Sequence, residues 1–466
     1  MNGRFIRAAA GAVTAGLLAS AAVGTQSALA TARGVVNVPC SAVALTAAIK
    51  DASSGETLSL APLCSYGLSA ALPPIVEKLT IEGNHSTLKG QNASAPDFAI
   101  LTVGSLSGSH AGTLTVCNLN ISGGAPGINL LSGAVSVSGG RFSGNATAIE
   151  SFSYTTLQVS GATFTDNSGG WGGAISGTDS VSVTNSTFTR NSAELGGAVY
   201  VQFGHQQIAN CHFSGNTATE AGGALYDDGN VTMTGTSFTA NRAPVGGAVS
   251  VYDGVYASLD VTRSAFVANA AQIGGAIYNY DGLTATDSVF TANHATQGGA
   301  IDQDWYATLT GDLLTRNTAT ASGGGLYAGY HTMVRDSVLT RNAAGTQGGG
   351  IYNGLDSLNF GGPLVVSTSS ITGNSAGTDG GGIFNRSTHG ATTGVAGSTV
   401  AGNAPDNCAP PGAISGCAAM AVTRNATALP GGRGRPAGWR PAPWRSVPRH
   451  HGGHPPRFLL RELTGR

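Results

Sequence analysis

Charged residues make up only 10% of this 466-residue chain, and just three of them are lysines: Lys50, Lys78 and Lys89. So few cations offer no basic groove for nucleic acid, and none is expected as a partner. They also leave no lysine, outside the N-terminal region, to act as the cationic base of a lyase. Beyond residue 30 no apolar run is long enough to cross a bilayer, so no membrane span is expected once a leader is removed. His205, His212, His294 and His331 are dispersed and make no metal-ligand spacing. The glycine-rich runs follow a repeat and do not form a strand–loop–helix phosphate site. We therefore expect neither a metal nor a cofactor.

What the chain has is glycine, 71 residues of it, much of it in order. From residue 142 to 403 two phrases alternate. One is an aromatic or aliphatic residue, two spacers and an asparagine, as in Phe142–Asn145, Phe164–Asn167, Phe188–Asn191, Phe213–Asn216, Phe238–Asn241, Phe266–Asn269 and Phe290–Asn293. Leu314–Asn317, Leu339–Asn342, Ile371–Asn374 and Val400–Asn403 are weaker copies. The other phrase is Gly-Gly-Ala or Gly-Gly-Gly plus an aliphatic residue, from Gly172–Ile175 to Gly380–Ile383. The period is mostly 22 to 28 residues.

Such a period marks a solenoid, in which each unit buries its apolar face against its neighbours. The repeats are rich in Thr, Ser, Val, Phe and Tyr, which favour strands. Val181–Thr184 and Val231–Thr234 alternate apolar and polar residues at period two. The leucine scaffold of a leucine-rich repeat is absent. The expected fold is all-β, a single-stranded parallel β-helix, with one repeat per coil and equivalent positions about 4.8 Å apart. The phenylalanines should form an internal ladder. The asparagines should sit at turns, where a short amide bonds the backbone and tolerates left-handed dihedrals.

The two phrases resemble the paired repeats of the polymorphic outer membrane protein family. More broadly, they resemble secreted right-handed parallel β-helix proteins with a pectin-lyase-like fold. The resemblance covers about residues 142 to 403 and implies the fold and its right hand. It implies no single activity, because this fold carries lyases, hydrolases, adhesins and passive surface proteins. No series of alternating ten-residue strands follows the repeats, so an outer-membrane barrel is not expected. The active residues of pectate lyases and polygalacturonases find no match here residue by residue.

In chain order, residues 1–30 read as a cleaved signal peptide. Arg4 and Arg7 precede an apolar stretch, and Ala28-Leu-Ala30 offers a cleavage site. The protein is thus expected to be secreted or associated with the cell surface. Residues 31–100 read as an N-terminal cap with the first coils. In it Ser41 caps a short helix whose apolar face is Val43, Leu45 and Ile49. Residues 101–405 carry the coils, and 406–419 form a loop closed by a disulfide. Export makes disulfides Cys40–Cys64 and Cys408–Cys417 the expected pairs. Cys117 and Cys211, each two residues before a ladder position (Leu119 and Phe213), should share one column four coils apart. That is roughly 19 Å, too far to bond. Residues 31–419 hold 12 Lys+Arg against 23 Asp+Glu, a net of −11, while 420–466 hold nine Arg and one Glu, a net of +8. The basic, Pro/Gly-rich tail is expected to be disordered.

After each Gly-Gly-Ala the aliphatic residue should point inward and the next one outward. Stacked, the outward positions make a stripe of tyrosines and aspartates. Its candidate ligand-binding residues are Tyr226, Asp228, Tyr252, Tyr278, Tyr280, Trp305, Tyr306 and Tyr327. Aromatic faces beside carboxylates suit the apolar and hydroxyl faces of sugars. Stacked tyrosines also stabilise strands by cross-strand packing alone, and the repeat by itself imposes such a column. Asp302 and Asp304 form a same-face i,i+2 pair, with α-carbons about 6.5–7 Å apart at strand rise. That is compatible with the two carboxylates of a glycosidase. The leading expectation is a non-catalytic surface protein that binds carbohydrate or a cell-wall polymer. The alternative is a polysaccharide hydrolase or lyase that uses the stripe.

Overall fold

A computed structural model of the chain describes residues 34–91, 97–106, 110–252, 257–354, 361–386 and 393–417. The leader and the basic tail lie outside the described residues. One coil shows the plan. Val181–Thr184 lies in sheet A, Thr187–Thr189 in sheet B, Ser192–Leu195 in a short connecting ladder, and Val199–Val201 in sheet C. His205–Ala209 then re-enters sheet A one coil further on. Sheets A, B and C hold 15, 14 and 13 strands, and every pairing between named strands is parallel to the strand one coil away. Strands such as Gly112–Cys117 and Thr155–Ser160 alternate buried and more exposed side chains, as period two requires.

Inside, seven phenylalanines from Phe142 to Phe290 stack in register with no exposed surface. Their ring centroids lie 4.5–4.9 Å apart, which is the strand spacing. Leu314, Leu339 and Ile371 continue the column, fully buried. Each such ring contributes about 1.5–3 kcal/mol by leaving water.

The asparagines do something different from the expectation. The left-handed residue at each turn is the one before the asparagine, such as Arg190 at φ 53° or Ala240 at φ 55°. The asparagine itself is buried and turned inward. Its Nδ2 donates to the Oδ1 of the next asparagine (Asn241 to Asn269, 3.0 Å) and to a ladder carbonyl (Asn241 to Phe213 O, 3.1 Å). Its backbone N–H donates to the same Oδ1. The amides thus form a hydrogen-bonded column from Asn145 to Asn407.

A second polar column lies at the bend between sheets A and B. There Thr236, Ser264, Ser288, Asp312, Ser337 and Ser369 each accept a backbone N–H from the coil before. Cys211 stands in this column, buried and reduced. Cys117 is also reduced but belongs elsewhere, which corrects the expected register. The ladder residue of its coil is Ile121, and Cys117 pairs with Glu82 and Ser138 in sheet A.

At the N-terminal end the helix Ala42–Asp51 covers the lumen, with Ser41 accepting from Ala44 N and Leu45 and Ile49 buried. Val43 faces water at 80% exposure, against expectation, because the buried i,i+4 pair fixes the opposite side of the helix. Disulfides join Cys40 to Cys64 and Cys408 to Cys417. No helix of the described residues is long and apolar enough to cross a membrane.

Candidate functional site

The Gly-Gly turn shapes the candidate site. Gly196 has φ +58°, and a Cβ there would sit 2.1 Å from the Val199 carbonyl. A Cβ on Gly197 would lie 2.2 Å from the carbonyl of Gly223 on the next coil. Only glycine permits so tight a reversal. The reversal folds the short connecting ladder against the outer face of sheet C.

On that outer face Tyr200, Tyr226, Ser250, Tyr278, Asp302, Tyr327, Tyr352 and Phe384 stand in register on consecutive coils. The alternation expected from the sequence holds. Full exposure does not follow from it, because the folded-back ladder covers most of the column. Asp302 is 1% exposed and Asp304 6%, while Tyr327, Tyr352 and Phe384 form a buried stack of their own. Tyr226, Tyr278 and Tyr280 are half-buried, as is Asp228.

The open part of the face lies at the turn that leaves sheet C for sheet A. Phe152 (37% exposed), Tyr154 (97%), Phe203 (56%), Tyr252 (39%) and Tyr306 (53%) follow strands of sheet C on four coils. Tyr280 tilts against Tyr252 with centroids 5.5 Å apart. Trp305, Tyr306, Tyr330 and His331 form one aromatic cluster, with centroid separations of 4.4–6.1 Å. On the other flank Trp171, from the connecting segment, stacks on Tyr200 at 5.6 Å. Phe152, Tyr154, Phe203, Tyr330 and Trp171 escape a reading based on the strand phase. The first four lie in turns of variable length after sheet C strands and Trp171 in the segment before one, so none has a countable phase.

Burial governs the charges here. The Asp302 carboxyl is held well above the usual carboxylate range, first by desolvation and then by the charge of Asp304, with a Gln297 hydrogen bond opposing both. Its Oδ2 has no hydrogen-bond partner. The Tyr278 hydroxyl donates to Asp304 Oδ2 at 3.1 Å, and burial raises that phenol so that it keeps its proton. Burial likewise raises Tyr226 and Tyr327, helped by Asp228 for the first and Asp302 for the second. Glu150, on the first coil of the face, is raised by burial alone. Asp227 points into the lumen, fully buried, where Gly229 N donates to its Oδ1 at 2.5 Å. It is therefore not available to a ligand on this face. Among the described residues no group of three or more His, Cys, Asp or Glu side chains is gathered for a metal ion. Asp253, a further acid of the stripe, lies outside the described residues. A hollow of about 380 Å³ lined by Asn37, Ser59, Pro62 and Asn84 lies in the first coils and holds no titratable side chain.

The family model described as right-handed β-helix region matches residues 105–271. The chain is a right-handed parallel β-helix. Solved structures are similar to it at low identity. Tailspike protein 3 of bacteriophage CBA120 is 14% identical with a TM-score of 0.37, over 77% of this chain and 53% of that one. The alginate lyase AlyF-OU02, in complex with G6, is 11% identical with a TM-score of 0.36, over 79% and 84%. The catalytic unit of a GH87 alpha-1,3-glucanase from Streptomyces thermodiastaticus strain HF3-3 is 14% identical with a TM-score of 0.31, over 77% and 65%. The chain thus spans about half of the tailspike protein. Likeness at this level carries no information on activity. No curated protein matches the chain.

Proposed function

We propose that this β-helix binds an extended polysaccharide along the turn between sheets C and A, as a secreted, non-catalytic surface protein. The observation that carries the reading is the row of exposed rings from Phe152 to Tyr306, set beside half-buried carboxylates. Exposed aromatic rings cost solubility unless a ligand covers them, and a flat ring with an adjacent acceptor fits a sugar's apolar face and its hydroxyls. The two disulfides support an oxidising compartment and so the reading of residues 1–30 as an export signal. The alternating phrases also support kinship with the polymorphic outer membrane protein repeats.

A hydrolase is the second reading, and one observation favours it. Burial and the charge of Asp304 hold the Asp302 carboxyl well above the usual carboxylate range, the direction a general acid beside a carboxylate needs. Against it stands burial: a catalytic carboxyl must touch the substrate, and these two are covered. The test is a panel of neutral and charged oligosaccharides on the mature protein, read both by calorimetry and by release of reducing ends. Binding without product, unchanged in Asp302→Asn, is the expected result. Product that disappears in Asp302→Asn and Asp304→Asn would make the protein an enzyme.

A further inference from the structure

One residue breaks the outer column of sheet C. From Tyr200 to Phe384 its stations are tyrosine, serine or phenylalanine, except Asp302. Asp302 stands between Tyr278 and Tyr327, one coil to either side. The cover over it is close. Gly298 has φ +62°, and a Cβ there would stand 2.8 Å from the Asp302 Cβ. Gln297, beside it in the connecting segment, bonds the Asp302 carboxyl. Backbone bonds tie this segment to both neighbouring coils. Gln297 N donates to Gln272 O, Gly298 N to Ser322 O and Gly299 N to Gly323 O.

Two acids share the covered place, for Asp304 is buried as well. The Tyr278 hydroxyl donates to Asp304 Oδ2, whereas Asp302 Oδ2 has no donor. The other titratable groups beside them are the Tyr278 and Tyr327 phenols. His294, in the same connecting segment, is bonded to Thr318. Arg386 lies two coils beyond Tyr327 and bonds Tyr352. None of these brings a positive charge to Asp302. Two neighbouring carboxylates out of water cannot both hold a charge without a large cost. Asp302, the more deeply buried and without a donor on Oδ2, is the one better left neutral.

We propose that Asp302 is a pH-operated latch on the Gly-Gly cover of its coil. Neutral, it lets residues 297–299 lie against the face. Ionised, it is driven toward water, lifts the segment and bares Tyr278 and Tyr327. The device needs no ligand and stands apart from the carbohydrate-binding reading. Its sign follows from burial first and the charge of Asp304 second, both of which raise the Asp302 carboxyl. A group raised in the closed form supports that form at low pH and withdraws the support as the pH rises. The cover is therefore firmest below about pH 4 and loosens toward neutral and alkaline pH.

The coil of Ser250 supplies an internal control. There Gly246 N and Gly247 N make the same bonds, to Ile273 O and Gly274 O, over a residue that does not titrate. Hydrogen exchange of the ligand-free protein, corrected for the intrinsic rate of each amide, reads both covers. Between pH 5 and pH 8 protection of the Gln297, Gly298 and Gly299 amides should fall at least tenfold, while that of Gly246 and Gly247 holds. Hydroxyl-radical labelling of Tyr278 and Tyr327 should rise over the same range. Asp302→Asn should abolish the fall, and so should Asp302→Ser, which copies the Ser250 coil. Asp304→Asn removes the repelling charge and should shrink it. Asp312→Ser should leave it intact, which separates the latch from titration at the bend between sheets A and B. A cover equally protected at both pH values overturns the latch. So does a fall that survives in the Asp302 variants, is matched at Gly246 and Gly247, or disappears in Asp312→Ser.

Discussion

At the scale of the residue, the bend between sheets A and B holds an exception with a measurable consequence. Threonine or serine fills that column on neighbouring coils, but Asp312 takes the place once. Its Oδ1 accepts from Ser288 N at 2.7 Å, as a hydroxyl would, and its Oδ2 has no partner. Burial pushes this carboxyl up to about 7, against hydrogen bonds from Ser288 and Thr310 that lower it. A raised carboxyl binds its proton more tightly folded than unfolded. Stability from this group is therefore full below about pH 4 and is lost as the pH rises through about 7. The whole swing is of the order of 4 kcal/mol. Asp312→Ser restores the hydroxyl of the column and removes the titration. It should raise the melting temperature at pH 8, change it far less at pH 5, and flatten the stability–pH curve between them. An unchanged curve would mean that Asp312 is solvated.

At the scale of the element, the coil was legible in the sequence because its two phrases are periodic. The Phe-x-x-Asn phrase marks sheet B and the turn after it, and the aliphatic residue after Gly-Gly-Ala marks sheet C. The inward and outward phase of sheet C could be counted from that residue, and Tyr200 to Phe384 stand in register as counted. Two things were not legible. Period two says which side of a strand a residue takes, but not what lies over that side. The reversal at Gly298 brings the connecting segment over the face there, with Gln297 bonded to Asp302, so Asp302 is buried where alternation alone would expose it. The turns leaving sheet C have no fixed length, so their rings, Tyr154 among them, carry no phase. The ladder itself gives a graded test. Phe238→Ala opens a cavity between Phe213 and Phe266 and should cost about 3–5 kcal/mol. Phe238→Leu should cost about 1 kcal/mol, since Leu314 and Leu339 fill the same column three and four coils on. Chemical denaturation midpoints would order the variants. Equal losses in the two would show that ring stacking, and not filled volume, holds the column.

At the scale of the whole molecule, a solenoid turns a short pattern into a long surface. In the proposed reading no single coil carries the binding site: Phe152 and Tyr154 come from one, Phe203 from another, and Tyr252, Tyr280 and Tyr306 from three more. From the strand Ile149–Ser151 to the strand Ile301–Gln303 the face rises six coils, about 29 Å. A ligand held by such a row is held at several weak points along one rigid chain. Its affinity should therefore climb with length until the row is filled. On the proposed reading, a series of oligosaccharides of the bound polymer should gain affinity steeply from disaccharide to about hexamer and then level off. Tyr154→Ala and Tyr306→Ala lie near opposite ends of the row and are exposed, so neither should move the melting temperature by more than a degree or two. Each should weaken the hexamer several-fold and leave the trimer less affected, because a trimer can settle on the remaining rings. A flat length dependence, with one of the two substitutions abolishing binding of every oligomer, would instead place recognition in a single local pocket. The rings of the other coils would then have no part in it.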